Sequence, residues 1–262
     1  MLKLALLGDP VGHSLSPRLH AAALQATGLE GEYVARRVDA DGLADAVAEI
    51  RDGRLHGANV TMPHKRLAAE LADTRGSDAQ RADSVNTLLS VDGVVHGEST
   101  DVEGIRRAWG PLSDGGVLIL GAGGAAAAAV LALEGRPLAV SARRPERAHR
   151  MLERTGVAGT VVEWGIGLPG RVVVNATPLG MGREGLSDRV IEQASGLFEM
   201  PYGADPTHAA TRAKALGLPV VEGLEMLVAQ AALSFEIWTG LSAPIDAMRR
   251  AVEDDHSAGS NL

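Results

Sequence analysis

The chain has 262 residues, 45% apolar and 22% charged, which is enough length for two ordinary domains and enough apolar mass to give each a core. It has no cysteine, which excludes disulfides, thiolate metal sites, iron–sulfur clusters and a cysteine nucleophile, and fits a reducing, cytoplasmic setting. A formal net charge of −8 argues against nucleic acid and membrane surfaces as partners, so any anion must meet a local group of cations.

The opening apolar run, residues 2–7, is too short for a signal peptide and reads as a buried strand. Ser16 and Pro17 then offer an N-cap and a first-turn proline for a helix ending near Gly28. The pattern continues with a strand over 32–38, a helix over 41–51, a strand over 56–60 and a helix opened by Pro63. Residues 85–91 and 94–96 flank Asp92-Gly93, a two-residue hairpin signal, so this first unit is α/β with a partly antiparallel edge.

A helix over 102–109 leads into the turn-rich stretch 111–116, taken as the junction. Residues 117–120, 138–141 and 172–175 are continuous apolar runs, as expected of parallel strands covered on both faces. The uncharged stretch 115–133 approaches the length of a membrane span, but Gly121, Gly123 and Gly124 divide it into strand, turn and helix. An apolar helix over 225–239 and another after Pro244 are placed to return to the first unit. The expected fold is an N-terminal α/β substrate domain, 1–101 joined by 225–262, plus a doubly wound, Rossmann-type parallel-sheet nucleotide-binding domain, 102–224.

Gly121, Ala122, Gly123, Gly124 and Ala125 follow the strand 117–120 and, with Ala126, give the spacing G-x-G-x-x-A. Small residues there allow a tight turn, close approach of a pyrophosphate to a helix N-terminus, and close helix-on-strand packing. After the next strand stand Arg143, Arg144 and Arg147, with no carboxylate at the strand end; guanidinium groups bind a ribose 2′-phosphate, which favours NADP over NAD.

Three polar clusters lie in the first unit. Ser14 and Ser16 can present hydroxyls to a carboxylate; Asn59 and Thr61 share a face by the period of two, with Lys65 in the first turn of the helix after Pro63. A lysine there opposes the helix dipole, which suggests a task for it. The third cluster is Asn86-Thr87, placed on a strand, followed after the hairpin by Ser99-Thr100-Asp101. His13, His20 and His64 lack partners at metal-ligand spacing and are read as packing or capping residues, with no metal.

In order and spacing the chain resembles the shikimate dehydrogenase family over nearly its whole length. The motifs are His13-Ser14-Leu15-Ser16-Pro17, Asn59-Val60-Thr61-Met62-Pro63-His64-Lys65, Val85-Asn86-Thr87, Thr100-Asp101 and the glycine turn. Further on they are Asn175-Ala176-Thr177-Pro178-Leu179-Gly180-Met181 and Met226-Leu227-Val228-Ala229-Gln230 with Trp238-Thr239-Gly240.

The resemblance implies that Lys65 and Asp101 are the catalytic pair. It implies that Ser14, Ser16, Asn59, Thr61, Asn86, Tyr202 and Gln230 contact substrate, and that the glycine turn, Arg143, Arg144, Arg147, Thr177, Met181 and Gly223 bind cofactor. The implied activity is the reversible NADPH-dependent reduction of 3-dehydroshikimate to shikimate in chorismate and aromatic amino-acid biosynthesis, by a cytoplasmic monomer or homodimer. A ketone receiving hydride builds negative charge on oxygen; Lys65 can protonate it and Asp101 can direct the ammonium.

Departures from the family pattern concern Asp83, Ser84, Ser99 and Ala142, and the segment Glu199-Met200-Pro201-Tyr202-Gly203 lacks the usual starting aspartate. They leave open a quinate/shikimate dehydrogenase paralogue with NAD or mixed cofactor use, and a non-catalytic NADP-binding sensor.

Overall fold

Alternation along β1 (Leu2–Gly8) decides how the first sheet is covered. Ala5 and Leu7 face one layer, where they pack with Leu43, Ala46, Val47 and Ile50; Leu4 and Leu6 face the other, with Val11 and Tyr33. Those four residues recur along α2 (Ala40–Arg51) at a helical period, and Asp39 caps its start by accepting from the Gly42 N–H at 2.9 Å. Each large side chain so buried contributes about 1.5–3 kcal/mol.

This computed structural model describes residues 1–182, 184–203 and 205–258, with the backbone alone for 254–258. The end of the segment 225–262, from 259 on, lies outside the described residues. The chain forms two compact units, Met1–Thr100 with the stretch from Val228, and Asp101–Leu227.

In the first unit β1 is followed by α1 (Ser16–Thr27), β2 (Gly31–Arg37), α2, β3 (Gly57–Val60), α3 (Lys65–Leu71), β4 (Thr74–Arg75) and α4 (Ser77–Ala82). The hairpin of β5 (Thr87–Val91) and β6 (Val94–Glu98) closes the sheet, whose order is β2-β1-β3-β5-β6-β4. β1 pairs in parallel with β2 and β3, whereas β3/β5 and β5/β6 are antiparallel. Asp92 and Gly93 both have positive φ, as a tight hairpin turn requires.

α5 (Thr100–Ala108) leads into the second unit, which holds β7 (Val117–Leu120), α6 (Gly124–Ala132), β8 (Leu138–Ser141), α7 (Pro145–Thr155), β9 (Thr160–Val162) and β10 (Val172–Asn175). Then come α8 (Asp188–Ile191), β11 (Gly196–Glu199), α9 (His208–Ala215) and β12 (Val220–Val221). The last described elements are α10 (Gly223–Thr239) and α11 (Ile245–Ala258). The second sheet runs β12-β11-β10-β7-β8-β9, entirely parallel. That is the doubly wound dinucleotide-fold order, whose topological switch lies between β7 and β10. No described helix is long and apolar enough to cross a membrane.

Three local expectations are corrected. Ser16 is not the N-cap of α1; Leu15 holds that position, and the Ser16 N–H donates back to Ser14 Oγ at 3.3 Å. α3 starts at Lys65 and not at Pro63, because a turn closed from His64 N–H to the Thr61 carbonyl occupies the intervening residues. Asn86 precedes β5 and is not on it: its N–H donates to the Glu98 carbonyl, while its own carbonyl accepts from Val60.

Candidate active site

In the first unit a polar network is built from three directions. β3 delivers Asn59, the residues around the start of β5 deliver Asn86 and Thr87, and α10 delivers Gln230 and Ser234. Asn59 Nδ2 donates to the Asn86 carbonyl, Thr87 Oγ1 and Ser234 Oγ at 3.0, 3.1 and 2.9 Å, while its Oδ1 accepts from the Tyr33 hydroxyl at 2.9 Å. Asn86 Oδ1 accepts from the Thr100 N–H at 2.8 Å, and its Nδ2 donates to Thr100 Oγ1 at 3.0 Å and Gln230 Oε1 at 3.1 Å. Each bond fixes an amide flip, so the Gln230 oxygen is turned toward Asn86 and its nitrogen away. Asn86, Thr87, Thr100 and Ser234 are all buried, and hydrogen bonding offsets the desolvation of their polar atoms.

Lys65 and Asp101 are tied to this network through the main chain. The Val85 N–H donates to the Lys65 carbonyl at 2.9 Å, which pins the start of α3 beside the segment that carries Asn86. Asp101 follows Thr100 in the first turn of α5, where a carboxylate suits the helix dipole, and is 2% exposed. Lys65 and Thr61 are half-buried. Ser14 Oγ donates to Ser16 Oγ at 3.2 Å, so the paired hydroxyls do point the same way.

Tyr33 and Ser234 were not anticipated from the sequence. Ser234 lies one helical turn after Gln230 on an otherwise apolar helix, a spacing that would have shown it. Tyr33 stacks on His20 with ring centroids 4.2 Å apart, and Trp238 tilts against both rings. Burial lowers the His20 pKa to about 3, outweighing the opposing influence of the nearby Asn59 side chain; neither ring nitrogen has a hydrogen-bond partner among the described residues, and the imidazole is a neutral packing group. His64, in the N-cap position of α3, shares a hydrogen with the Val38 carbonyl at 2.9 Å.

In the second unit the glycine turn sits at the switch point. Gly121 has φ +117, and a Cβ there would meet the Ala176 carbonyl oxygen at 2.9 Å, so only glycine fits between the ends of β7 and β10. Gly123, the N-cap of α6, has nothing within 4 Å of a built Cβ and supplies no side-chain cap, which leaves the first N–H groups of the helix, from Gly124 and Ala125 on, open. Ala122 is half-buried between them.

Arg143, Arg144 and Arg147 are exposed where β8 passes into α7, a helix that also lacks a side-chain cap. Arg143 lies 5.7 Å over the Trp164 ring and 3.5 Å from Glu184, beside a cavity of about 450 Å³ lined also by Leu120, Leu179 and Val190. These features fit a dinucleotide with a phosphorylated ribose: a glycine cradle, an open helix N-terminus and exposed guanidinium groups.

Thr177 is half-buried in the turn after β10 and Met181 is exposed; Tyr202 is half-buried after β11. Gly223 packs so closely on the Met200 and Pro201 carbonyls that a Cβ would strike backbone, a packing reason for glycine at that position. Of the departures, Asp83 holds φ +51 at the end of α4, a left-handed position that aspartate tolerates, with its carboxylate 3.5 Å from Arg66 and 3.7 Å from Arg75.

A Rossmann-ordered unit with this cradle, joined to an α/β unit carrying a buried polar network, defines a two-domain α/β oxidoreductase. Residues 6–88 match the family model of the shikimate dehydrogenase substrate binding domain, and 223–253 that of the shikimate 5'-dehydrogenase C-terminal domain. The chain is 38% identical to the shikimate dehydrogenase (NADP(+)) of Archaeoglobus fulgidus over 96% of its own length and 97% of the relative's. It is likewise 38% identical to that of Thermus thermophilus, over 96% and 99%. A crystal structure of the Thermus thermophilus shikimate 5-dehydrogenase in complex with NADP(H) and shikimate superposes with a TM-score of 0.86 at 35% identity, covering 97% of this chain and 100% of that one. The chain belongs to the shikimate dehydrogenase family.

Proposed function

We propose that this protein catalyses the reversible, NADPH-dependent reduction of 3-dehydroshikimate to shikimate, a step of chorismate and aromatic amino-acid biosynthesis, in the cytoplasm. The observation that carries the reading is the full-length likeness to shikimate dehydrogenases (NADP(+)), together with the network that fixes Asn86 between the segments bearing Lys65 and Asp101. Bound NADPH would supply the hydride.

Lys65 donates the proton that neutralises the new alkoxide, and in the reverse direction accepts it; Asp101 orients the ammonium. Ser14 and Ser16 bind the substrate carboxylate. Gln230, with its nitrogen turned away from Asn86, and Thr61 bind ring hydroxyls, while Asn59, Asn86 and Tyr202 complete the substrate set. Gly121 to Ala125 hold the pyrophosphate on open backbone N–H groups, and Arg143, Arg144 and Arg147 hold the 2′-phosphate. Thr177 and Met181 line the nicotinamide end, and Gly223 lets α10 begin close to it. The paired serines suit shikimate better than quinate, which carries a further hydroxyl near its carboxylate, and the intact Lys65 and Asp101 argue against a non-catalytic sensor.

The test is oxidation of NADPH followed at 340 nm with purified protein and 3-dehydroshikimate. Turnover with kcat/KM well above that for dehydroquinate is expected. Protein that binds NADPH but turns over neither ketone overturns the reading.

A further inference from the structure

Glu199 is a buried carboxyl that the proposed reaction does not use. It ends β11, is 1% exposed, and its Oε1 accepts from Asn175 Nδ2 at 2.7 Å. Burial pushes its pKa up to about 7, against hydrogen bonds from Asn175 and Thr207, and Oε2 has no partner among the described residues. A carboxyl placed at such a disadvantage adds little to stability. What it does do is orient Asn175.

Asn175 ends β10 and organises the turn that follows. Its Nδ2 also donates to the Leu179 carbonyl at 3.0 Å, its Oδ1 accepts from Thr177 N–H at 3.2 Å and Thr177 Oγ1 at 2.7 Å, and Thr177 Oγ1 accepts in turn from Leu179 N–H at 3.2 Å. The turn works only with the amide nitrogen toward β11 and the oxygen toward Thr177. The Leu179 carbonyl and the Thr177 N–H set that flip, and the Glu199 oxygen adds the second acceptor that anchors the amide to β11. Beneath the turn, a Cβ on Gly180 would press on Thr207 and come 3.4 Å from Glu199 Oε1, so Glu199 and Thr207 fill the space under it.

We infer that Glu199 is a positioning residue for the cofactor: by anchoring the Asn175 amide to β11 it holds Thr177 and the residues up to Met181 in the shape that receives the nicotinamide end of NADPH. The inference rests on the proposed reading of Thr177 and Met181 as cofactor contacts.

Glu199→Met removes the acceptor at nearly constant volume, whereas Glu199→Gln keeps a carbonyl oxygen in its place; Glu199→Leu replaces the Met variant if that does not fold. Steady-state kinetics and NADPH fluorescence titration should show the Met variant with KM and Kd for NADPH raised about tenfold, and with KM for 3-dehydroshikimate and kcat within about twofold of wild type. The Gln variant should return both NADPH constants to within about twofold. An unchanged NADPH constant in the Met variant, equal losses in Met and Gln, or a parallel decline in kcat and both KM values overturns the inference. Wild-type protein that neither binds NADPH nor turns over overturns instead the functional reading beneath it.

Discussion

In the first unit the polar side chains of the candidate site are turned inward and bonded to one another, from Tyr33 through Asn59 and Asn86 to Gln230. In the second, the proposed cofactor recognition falls to bare backbone at Gly121 to Ala125 and to arginines exposed to solvent. On the proposed reading the difference follows from the two ligands. A small polyhydroxylated ring must be told from its isomers by donors and acceptors fixed in advance, at the expense of burying them. A dinucleotide is large and anionic, so open helix ends and exposed guanidinium groups suffice for it. Substitutions in the first unit should therefore change chemistry and stability, whereas those in the second should change cofactor affinity and selectivity.

The largest effect is expected at Lys65. Lys65→Ala should lower kcat by about 10²- to 10⁴-fold, the range of general acid–base assistance, with much smaller changes in KM for either substrate and in melting temperature. A variant keeping more than half of wild-type kcat would place the chemistry elsewhere and remove the main contrast between the units.

The buried titratable groups sharpen the comparison because they act in opposite pH windows. The Glu199 pKa is raised from 4.5 to about 7, so its contribution to stability is fully present below pH 4.5 and is lost as pH rises toward 7. Glu199→Gln is spared that loss and should gain on wild type over this window, by on the order of 3 kcal/mol at pH 8. His20 is lowered from 6.5 to about 3, so its contribution is present above pH 6.5 and is lost as pH falls toward 3. His20→Leu should gain on wild type as pH falls, by roughly 2 kcal/mol between pH 7 and pH 5, whatever offset the lost stacking on Tyr33 adds. Melting temperatures from pH 4.5 to 8.5 check both. If the two differences have the same slope, the buried groups do not titrate as their surroundings require.

The sequence revealed most where periodicity was strong. β7, β8 and β10 lie at the positions that their uninterrupted apolar runs marked, and α2 covers the helix expected over 41–51, whereas its Asp39 cap emerged only from the structure. β4 and β12, with two residues each, are too short to carry a period, and β11 ends on a glutamate that hides it. The candidate site divides the same way. Motif residues could be named, but the partners that fix them could not, because Tyr33 and Ser234 reach Asn59 only through the sheet order and the return of α10. Glu199 was noted only as a departure from the family pattern; its burial beside Asn175 depends on β10 and β11 pairing in register, with Asn175 opposite Glu199.

The smallest effect is expected at the arginines. Arg143 is exposed and faces Glu184 at 3.5 Å, an ion pair in solvent that adds little to the fold. Arg147 is also exposed, one turn into α7. Replacing both with alanine should leave the melting temperature within a few degrees of wild type and NADH binding nearly unchanged, because neither side chain carries the cradle at Gly121. NADPH binding should weaken by roughly ten- to a hundredfold, since charge-assisted contacts to a 2′-phosphate contribute about 1.5–3 kcal/mol each and the exposed site recovers only part of that. The wild-type preference for NADPH should also shrink as salt is raised from 50 to 500 mM, whereas that of the double variant should stay flat. Equal losses for the two cofactors would mean that the arginines shape the turn after β8 and leave the phosphate to other groups, and the second unit would then rest on backbone recognition alone.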